Sequence, residues 1–280
     1  MEEGIHIALK AEQVGHLWGL PITNTMLMSW IVMLVIGVTA YFVGKKLEKI
    51  PSKTQTFFET FFSFLLDYFE EVLDSRELAK RFFPLLATMF IFILIGNWFG
   101  LMPGIGSIFI EQPVHVEASV DHALVPETDS HDEGVLQTEE SSHAEESSHH
   151  AVSLFHPVSV DLNFTLAIAI IAFFAIEISG IMYVGAKGYI GKFINFSSPI
   201  NFLVGIIELL SEVARLVSFS FRLFGNMFAG KTLILVAMFF VPLLLPVPLM
   251  LYEFFVGIIQ ASIFTLLTLF FIKLAVAEPH

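Results

Sequence analysis

Cysteine is missing altogether from the 280-residue chain, which rules out disulfides and thiolate-held metals. Charge is scarce as well. Only 15% of the residues are Asp, Glu, Lys or Arg, against about 25% in a soluble domain. Positive charge is the scarcer sign, with 14 Lys and Arg against 27 Asp and Glu and a net charge of −13. That balance excludes a surface built to neutralise phosphates, so no nucleic-acid partner is expected. No phosphate-cradling loop, no nucleophile–base–orienter set and no metal-ligand spacing stands out. The chain is therefore not expected to be an enzyme by itself, or to hold a cofactor or a metal. The opening stretch, MEEGIHIALKAEQ, has no basic n-region, so the first apolar run is expected to stay as a permanent span. No internal repeat is evident either, which weakens a secondary-transporter reading.

What abounds is apolar sequence in long charge-free runs. Hydrophobic residues make up 55% of the chain and the mean hydropathy is +0.77, the mark of membrane spans. The first span, 22–44, ends on Lys45, Lys46 and Lys49. The second, 82–103, follows Lys80 and Arg81, with Pro84 suited to its first turn and Pro103 to its exit. The third, 162–186, carries Glu177 as its only charge and is followed by Lys187 and Lys192. Residues 199–241 are apolar overall but studded with polar groups. One helix of that length measures roughly 60 Å, about twice a bilayer core of ~30 Å, so it must tilt or bend. The segment Pro242 to Pro248 turns the chain into a last helix, 248–273.

Between the first two spans, residues 53–74 alternate differently. Phe57, Phe58, Phe61, Phe62, Leu65, Leu66, Phe69 and Val72 recur at helical spacing, with Glu59, Asp67, Glu70, Glu71 and Asp74 mostly opposite. This pattern predicts an amphipathic helix lying in the membrane interface, with a packing helix of a soluble cap as the alternative. Residues 104–160 hold 11 acidic residues, seven histidines and no Lys or Arg. A solvated, disordered loop is expected there; a histidine metal site and a pH-sensitive proton collector are the alternatives. Basic residues flank the ends at 45–53, 76–81, 187–192 and 273 and avoid 104–160 and 241–248. The positive-inside rule then puts the N-terminus and acidic loop outside and the C-terminus in the cytoplasm. The expectation is an all-α membrane protein of five transmembrane helices plus one interfacial amphipathic helix. The last two spans would form a long, tilted antiparallel hairpin.

The informative segment is FLVGIIELLSEVARLVSFSFRLFGNMFAGK, 202–231. Glu208, Ser211, Glu212, Arg215, Ser218, Arg222 and Asn226 follow one another at steps of three or four, which predicts one polar face. Each charge costs roughly 2.5–3.5 kcal/mol in a membrane, so the stripe needs a reason. Helix–helix adhesion suffices for the serines and is open to Arg215, which has Glu212 three residues before it. Arg222 differs. Its neighbours one turn away, Ser218 and Asn226, are neutral, and guanidinium does not deprotonate. Its counter-ion must come from another span, with Glu177 the internal candidate, or from another protein. Antiparallel facing residues share a sum of residue numbers; Arg222 with Gln260 gives 482 and Lys231 with Glu253 gives 484. That register predicts Lys231 beside Glu253 and Gln260 near Arg222.

Four stretches resemble one known family. RLFGNMFAG (222–230), GNWFGLMPG (96–104), DLNFTLA (161–167) and GIIQASIFTLLT (257–268) are similar to segments of subunit a of F-type rotary ATP synthases. The resemblance covers about 22–103 and 158–274. It implies a proton-conducting stator subunit without catalysis of its own; with no transit peptide evident in the opening stretch, a bacterial plasma membrane is the expected location and an organelle the alternative. The implied partners are a ring of c subunits bearing a membrane-embedded carboxylate, the peripheral-stalk b subunits and the lipid bilayer. Arg222 matches the arginine that faces the ring, and Glu208 the acid of the cytoplasmic half-channel. Asn226, Lys231, Glu253 and Gln260 match the outer half-channel, with Asn97 and Asp161 as further candidates there. Ser218, Glu212, Arg215 and Glu177 complete the candidate set. The sequence departs from the family at Lys231, where an acid or a histidine is usual.

Overall fold

The computed structural model describes residues 13–17, 20–45, 48, 50–102, 109–112, 150–153, 156–193, 199–242 and 244–277. The acidic loop from 113 to 149, with His115, His122, His131, His143 and His149, lies outside the described residues, as do Lys46, Lys49 and the side chains of Lys187 and Lys192. The expectations of disorder, a metal site or a proton collector for that loop fall there.

Helix ends follow local capping chemistry. The described residues open with an antiparallel hairpin of β1 (Gln13–Leu17) and β2 (Leu20–Thr23) and enter α1 (Asn24–Lys45). The hydroxyl of Ser52 accepts from the Gln55 N–H at 3.4 Å and starts α2 (Lys53–Leu73). Asp74, at φ 54, ends it in the left-handed region. Ser75 then caps α3 (Arg76–Leu101). The acidic loop is closed at its base by β3 (Phe109–Gln112) pairing antiparallel with β4 (His150–Ser153). A 3₁₀ turn, Val158–Val160, leads to α4 (Leu162–Val184), whose N-cap is Asp161. Gly185, at φ 87, separates α4 from the short α5 (Ala186–Phe193). The long α6 (Pro199–Phe240) and α7 (Pro246–Val276) form the terminal hairpin.

Among the described residues four helices, α1, α3, α4 and α7, are long and apolar enough to cross a membrane, and the chain is an all-α membrane protein. Helix α3 begins at Arg76, ahead of the expected span, so Pro84 lies inside the helix and not, as expected, in its first turn. There it removes one backbone donor, while the Ser75 cap supplies the start that the proline suggests. Residues 186–193 form a helix where only a basic flank was expected. Neither strand hairpin was foreseen.

The core lies where α3, α4, α6 and α7 meet: Leu86, Ile93, Ala172, Ile176, Leu223 and Phe264 are buried there. Lipid gives helices little hydrophobic reason to associate, so close packing at small residues carries the assembly. A Cβ on Gly180 of α4 would strike the Tyr189 ring, and one on Gly205 of α6 would strike the Phe193 carbonyl. Leu65, Phe69 and Leu73 bury one face of α2 against α3 and α7, while Phe57 and Phe64 stay exposed. The first turns of α1 are held through Asn24, Thr25, Met28 and Val32; beyond them Leu34, Tyr41 and Phe42 are exposed.

Candidate functional site

The polar groups of α6 divide between two environments. Glu212 is buried, Arg215 and Arg222 are half-buried, and Ser211, Ser218 and Asn226 are exposed. The stripe therefore runs along the border of the packed face, where its steps of three and four place it, and not at the centre.

Toward the end of the bundle that bears α5, Arg215 donates to Glu212 at 2.5 Å and lies 3.8 Å over the Phe271 ring. Its charge is satisfied inside the chain. A cavity of about 440 Å³ opens beside this pair, between α4, α5 and α6, with Glu177, Tyr189, Gly205 and Glu212 in its wall. The Tyr189 phenol hydrogen-bonds Glu177. Glu208 stands one turn before Glu212, half-buried.

Arg222 comes two turns after Arg215, and among the described residues it makes neither an ion pair nor a hydrogen bond. One turn further, Asn226 donates from Nδ2 to Gln260 Oε1 at 2.6 Å. The Gln260 side chain, which the register places at the level of Arg222, is engaged by Asn226. The backbone register is close to that expected, since Phe219 meets Phe264 and Gly230 meets Glu253, both summing to 483. The long amide reaches one turn along α6 and finds the better partner, another amide.

At the opposite end, Gly230 leaves room for the buried carboxylate of Glu253; a Cβ there would collide with it. Lys231 follows, with Nζ 3.0 Å from His156 Nδ1 and 3.2 Å from Nε2. Asn97 is buried and accepts from Ser159 Oγ at 2.5 Å, while its Nδ2 has no partner among the described residues. Asp161 does two structural tasks: Oδ1 accepts from the Asn163 N–H at 2.9 Å, and Oδ2 accepts from Thr25 Oγ1 at 2.8 Å. Thr165 and Ser220 tie α4 to α6 at 3.2 Å.

The profile of the family described as ATP synthase A chain matches residues 26–273. The chain belongs to that family. It is 30% identical over 260 residues to ATP synthase subunit a of Moorella thermoacetica, covering 93% of this chain and 94% of the relative. It is 28% identical to the sodium ion specific ATP synthase subunit a of Propionigenium modestum, covering 96% and 79%. Subunit a of Gloeobacter violaceus is 30% identical, covering 92% and 85%.

Within this family member, Lys231, Glu253, Asn226, Gln260 and Asn97 gather along the loop end of the α6–α7 hairpin, whereas Glu208, Glu212, Arg215 and Glu177 gather toward α5. Arg222 stands between the two groups. Sequence reasoning passed over two residues. His156 was counted with the loop histidines, and Tyr189 went unmentioned. Burial, followed by the Lys231 charge, lowers the His156 imidazole to about 4. Burial, followed by Glu177, pushes the Tyr189 phenol well above its usual range. A histidine beside Pro157, next to the capping Asp161, was the one signal available for the first. The small residue Gly180, against which the Tyr189 ring packs, was the signal for the second.

Proposed function

We propose that the chain is the ion-conducting stator subunit of a rotary ATP synthase, with two half-channels that end on either side of Arg222. The observation that carries this reading is the contrast between two arginines seven residues apart on α6. Arg215 has Glu212 and the Phe271 ring; Arg222 has no anion among the described residues. A permanent cation in a membrane helix calls for a counter-charge, and a carboxylate on a neighbouring ring of c subunits supplies one.

In this reading α1, α3, α4, α6 and α7 are the five spans, and α2 lies in the interface with Glu59, Asp67 and Glu71 toward water. The N-terminus and acidic loop face outside and the C-terminus faces the cytoplasm. Protons reach the ring carboxylate from outside past Lys231, Glu253, Gln260 and Asn226. They leave past Glu208 after the carboxylate has met Arg222, which favours its ionised form and blocks direct passage. The subunit makes no bond itself. It lets a gradient worth ~2.3 kcal/mol per charge per 100 mV turn the ring. The peripheral stalk holds it against that torque.

The test is ATP-driven proton pumping in vesicles carrying Arg222→Ala, with assembly and sodium dependence followed in parallel. Assembled complexes that hydrolyse ATP without pumping are expected. Normal pumping would sink the reading. Loss of assembly alone would favour a purely structural membrane subunit.

A further inference from the structure

His156 joins the loop end of the bundle to the sequence that follows the acidic loop. It is 8% exposed and leads through Pro157 into the 3₁₀ turn before α4. Its two ring nitrogens lie 3.0 and 3.2 Å from Lys231 Nζ, across 75 residues of sequence. The ammonium is thus almost equidistant from both nitrogens, beside the ring rather than along either lone pair, and its charge acts on both tautomers alike. Lys231 in turn adjoins Gly230, on which the Glu253 carboxylate packs. Imidazole, ammonium and carboxylate therefore share one level of the hairpin.

Among the described residues, the surroundings limit what else could exchange protons there. The 3₁₀ turn packs against α1, α3, α4 and α6. At this end α1 brings Asn24 and Thr25, and α3 brings Asn97, none of them ionisable. Asp161, before α4, is held by Thr25 and the Asn163 N–H. From α6 comes Lys231, and α7 adds Glu253.

We propose that His156 is the outer proton relay of the subunit, passing protons between the acidic-loop side and Glu253 while Lys231 prevents the imidazole from retaining them. This rests on the half-channel reading above. In one transfer a new N–H bond forms at the unprotonated ring nitrogen. The N–H on the other nitrogen then breaks toward the Glu253 carboxylate, and the ring returns to neutral as the other tautomer. The ammonium keeps its charge throughout. Its proximity and the burial of the ring hold the imidazole at about 4, so the imidazolium is short-lived at neutral pH.

A clamp that only positions Lys231 is the competing role, and His156→Gln separates the two because glutamine still offers an acceptor to the ammonium. The assay is ATP-driven pumping by the whole complex in membrane vesicles, with ATP hydrolysis, assembly and Arg222→Ala run beside it. His156→Gln is expected to assemble and to pump roughly tenfold more slowly or worse. His156→Ala is expected to regain pumping when imidazole is added. Pumping by His156→Gln at the wild-type rate, or no rescue of assembled His156→Ala by imidazole, overturns the relay. If neither variant assembles, the double variant His156→Gln/Lys231→Gln removes the cation along with the ring. Normal pumping by it, or pumping equal to that of Lys231→Gln alone, also overturns the relay; pumping well below that single variant supports it. Failure of the half-channel reading looks different: Arg222→Ala would then pump normally.

Discussion

Asp161→Ala and Asp161→Asn should have opposite fates. The carboxylate closes two bonds at once, one to the first turn of α4 through the Asn163 N–H and one to Thr25 of α1. Losing an N-cap costs about 0.5–2 kcal/mol. Losing a buried bond to a charged acceptor costs about 1.5–3 kcal/mol. Alanine should therefore remove about 2–5 kcal/mol, a large share of the 5–15 kcal/mol typical of a whole domain. Asparagine behaves differently. Its Oδ1 still accepts from Asn163, and its amide donates to the Thr25 hydroxyl. That hydroxyl then turns its proton to Thr23 Oγ1, 3.0 Å away. The net loss should stay near ~1 kcal/mol. The assay is the amount of subunit in purified complexes, their midpoint of thermal disassembly, and pumping per assembled complex. Complexes carrying Asp161→Asn should assemble and pump at close to the wild-type rate, while Asp161→Ala should fail to accumulate. If Asp161→Asn assembles fully but does not pump, Asp161 titrates during transport, and assigning it to structure alone is wrong.

Two further outcomes are expected. Glu212→Gln strands Arg215 beside an uncharged partner. The loss should be about 3 kcal/mol, at the low end for a buried pair because the Arg215 side chain is 21% exposed. Glu212→Gln/Arg215→Gln should recover much of it in thermal disassembly of the solubilised complex, and a double variant weaker than the single one would contradict the pairing. Acid should loosen the loop end as well. The His156 imidazole is lowered from 6.5 to about 4 in the folded chain, so its contribution is complete above 6.5 and is lost as pH falls from there to about 4. That amounts to roughly 3 kcal/mol. A wild-type midpoint that falls with pH no faster than that of His156→Gln would count against it.

Four helices long and apolar enough to span were legible because charge-free length has one physical meaning in a membrane. The unbroken α6 was legible because its polar residues keep helical steps from Glu208 to Asn226. The start of α3 was not, since Pro84 advertises a first turn, and the decisive signal was the less conspicuous Ser75. Helix α5 was hidden because Gly185, Gly188 and Gly191 suggest a linker; only the positive φ of Gly185 shows that this one glycine makes the turn. The hairpin register could be summed from residue numbers, but side-chain reach could not, so the Asn226–Gln260 hydrogen bond was not foreseen. The contact of His156 with Lys231 closes a separation of 75 residues. No periodicity within one element encodes such a pairing.

The two arginines show how much of a site lies beyond residue type. Arg215 and Arg222 sit seven residues apart, nearly two turns, and so project in nearly the same direction from α6. Sequence separates them by their neighbours alone: a glutamate three residues before the first, serine and asparagine around the second. Packing widens that difference. It buries Glu212 against Arg215 and places Phe271 beneath the guanidinium, so the first charge is consumed in holding α6 to α7. It also engages Asn226 with Gln260, which takes the nearest polar side chain on the loop side of Arg222 out of competition. Each of these contacts lowers the cost of a charge or an amide except at Arg222, where the cost stands. On the proposed reading, a membrane helix that neutralises one cation internally and leaves its neighbour to an outside anion keeps that charge where a ring carboxylate is to be attracted and then let go.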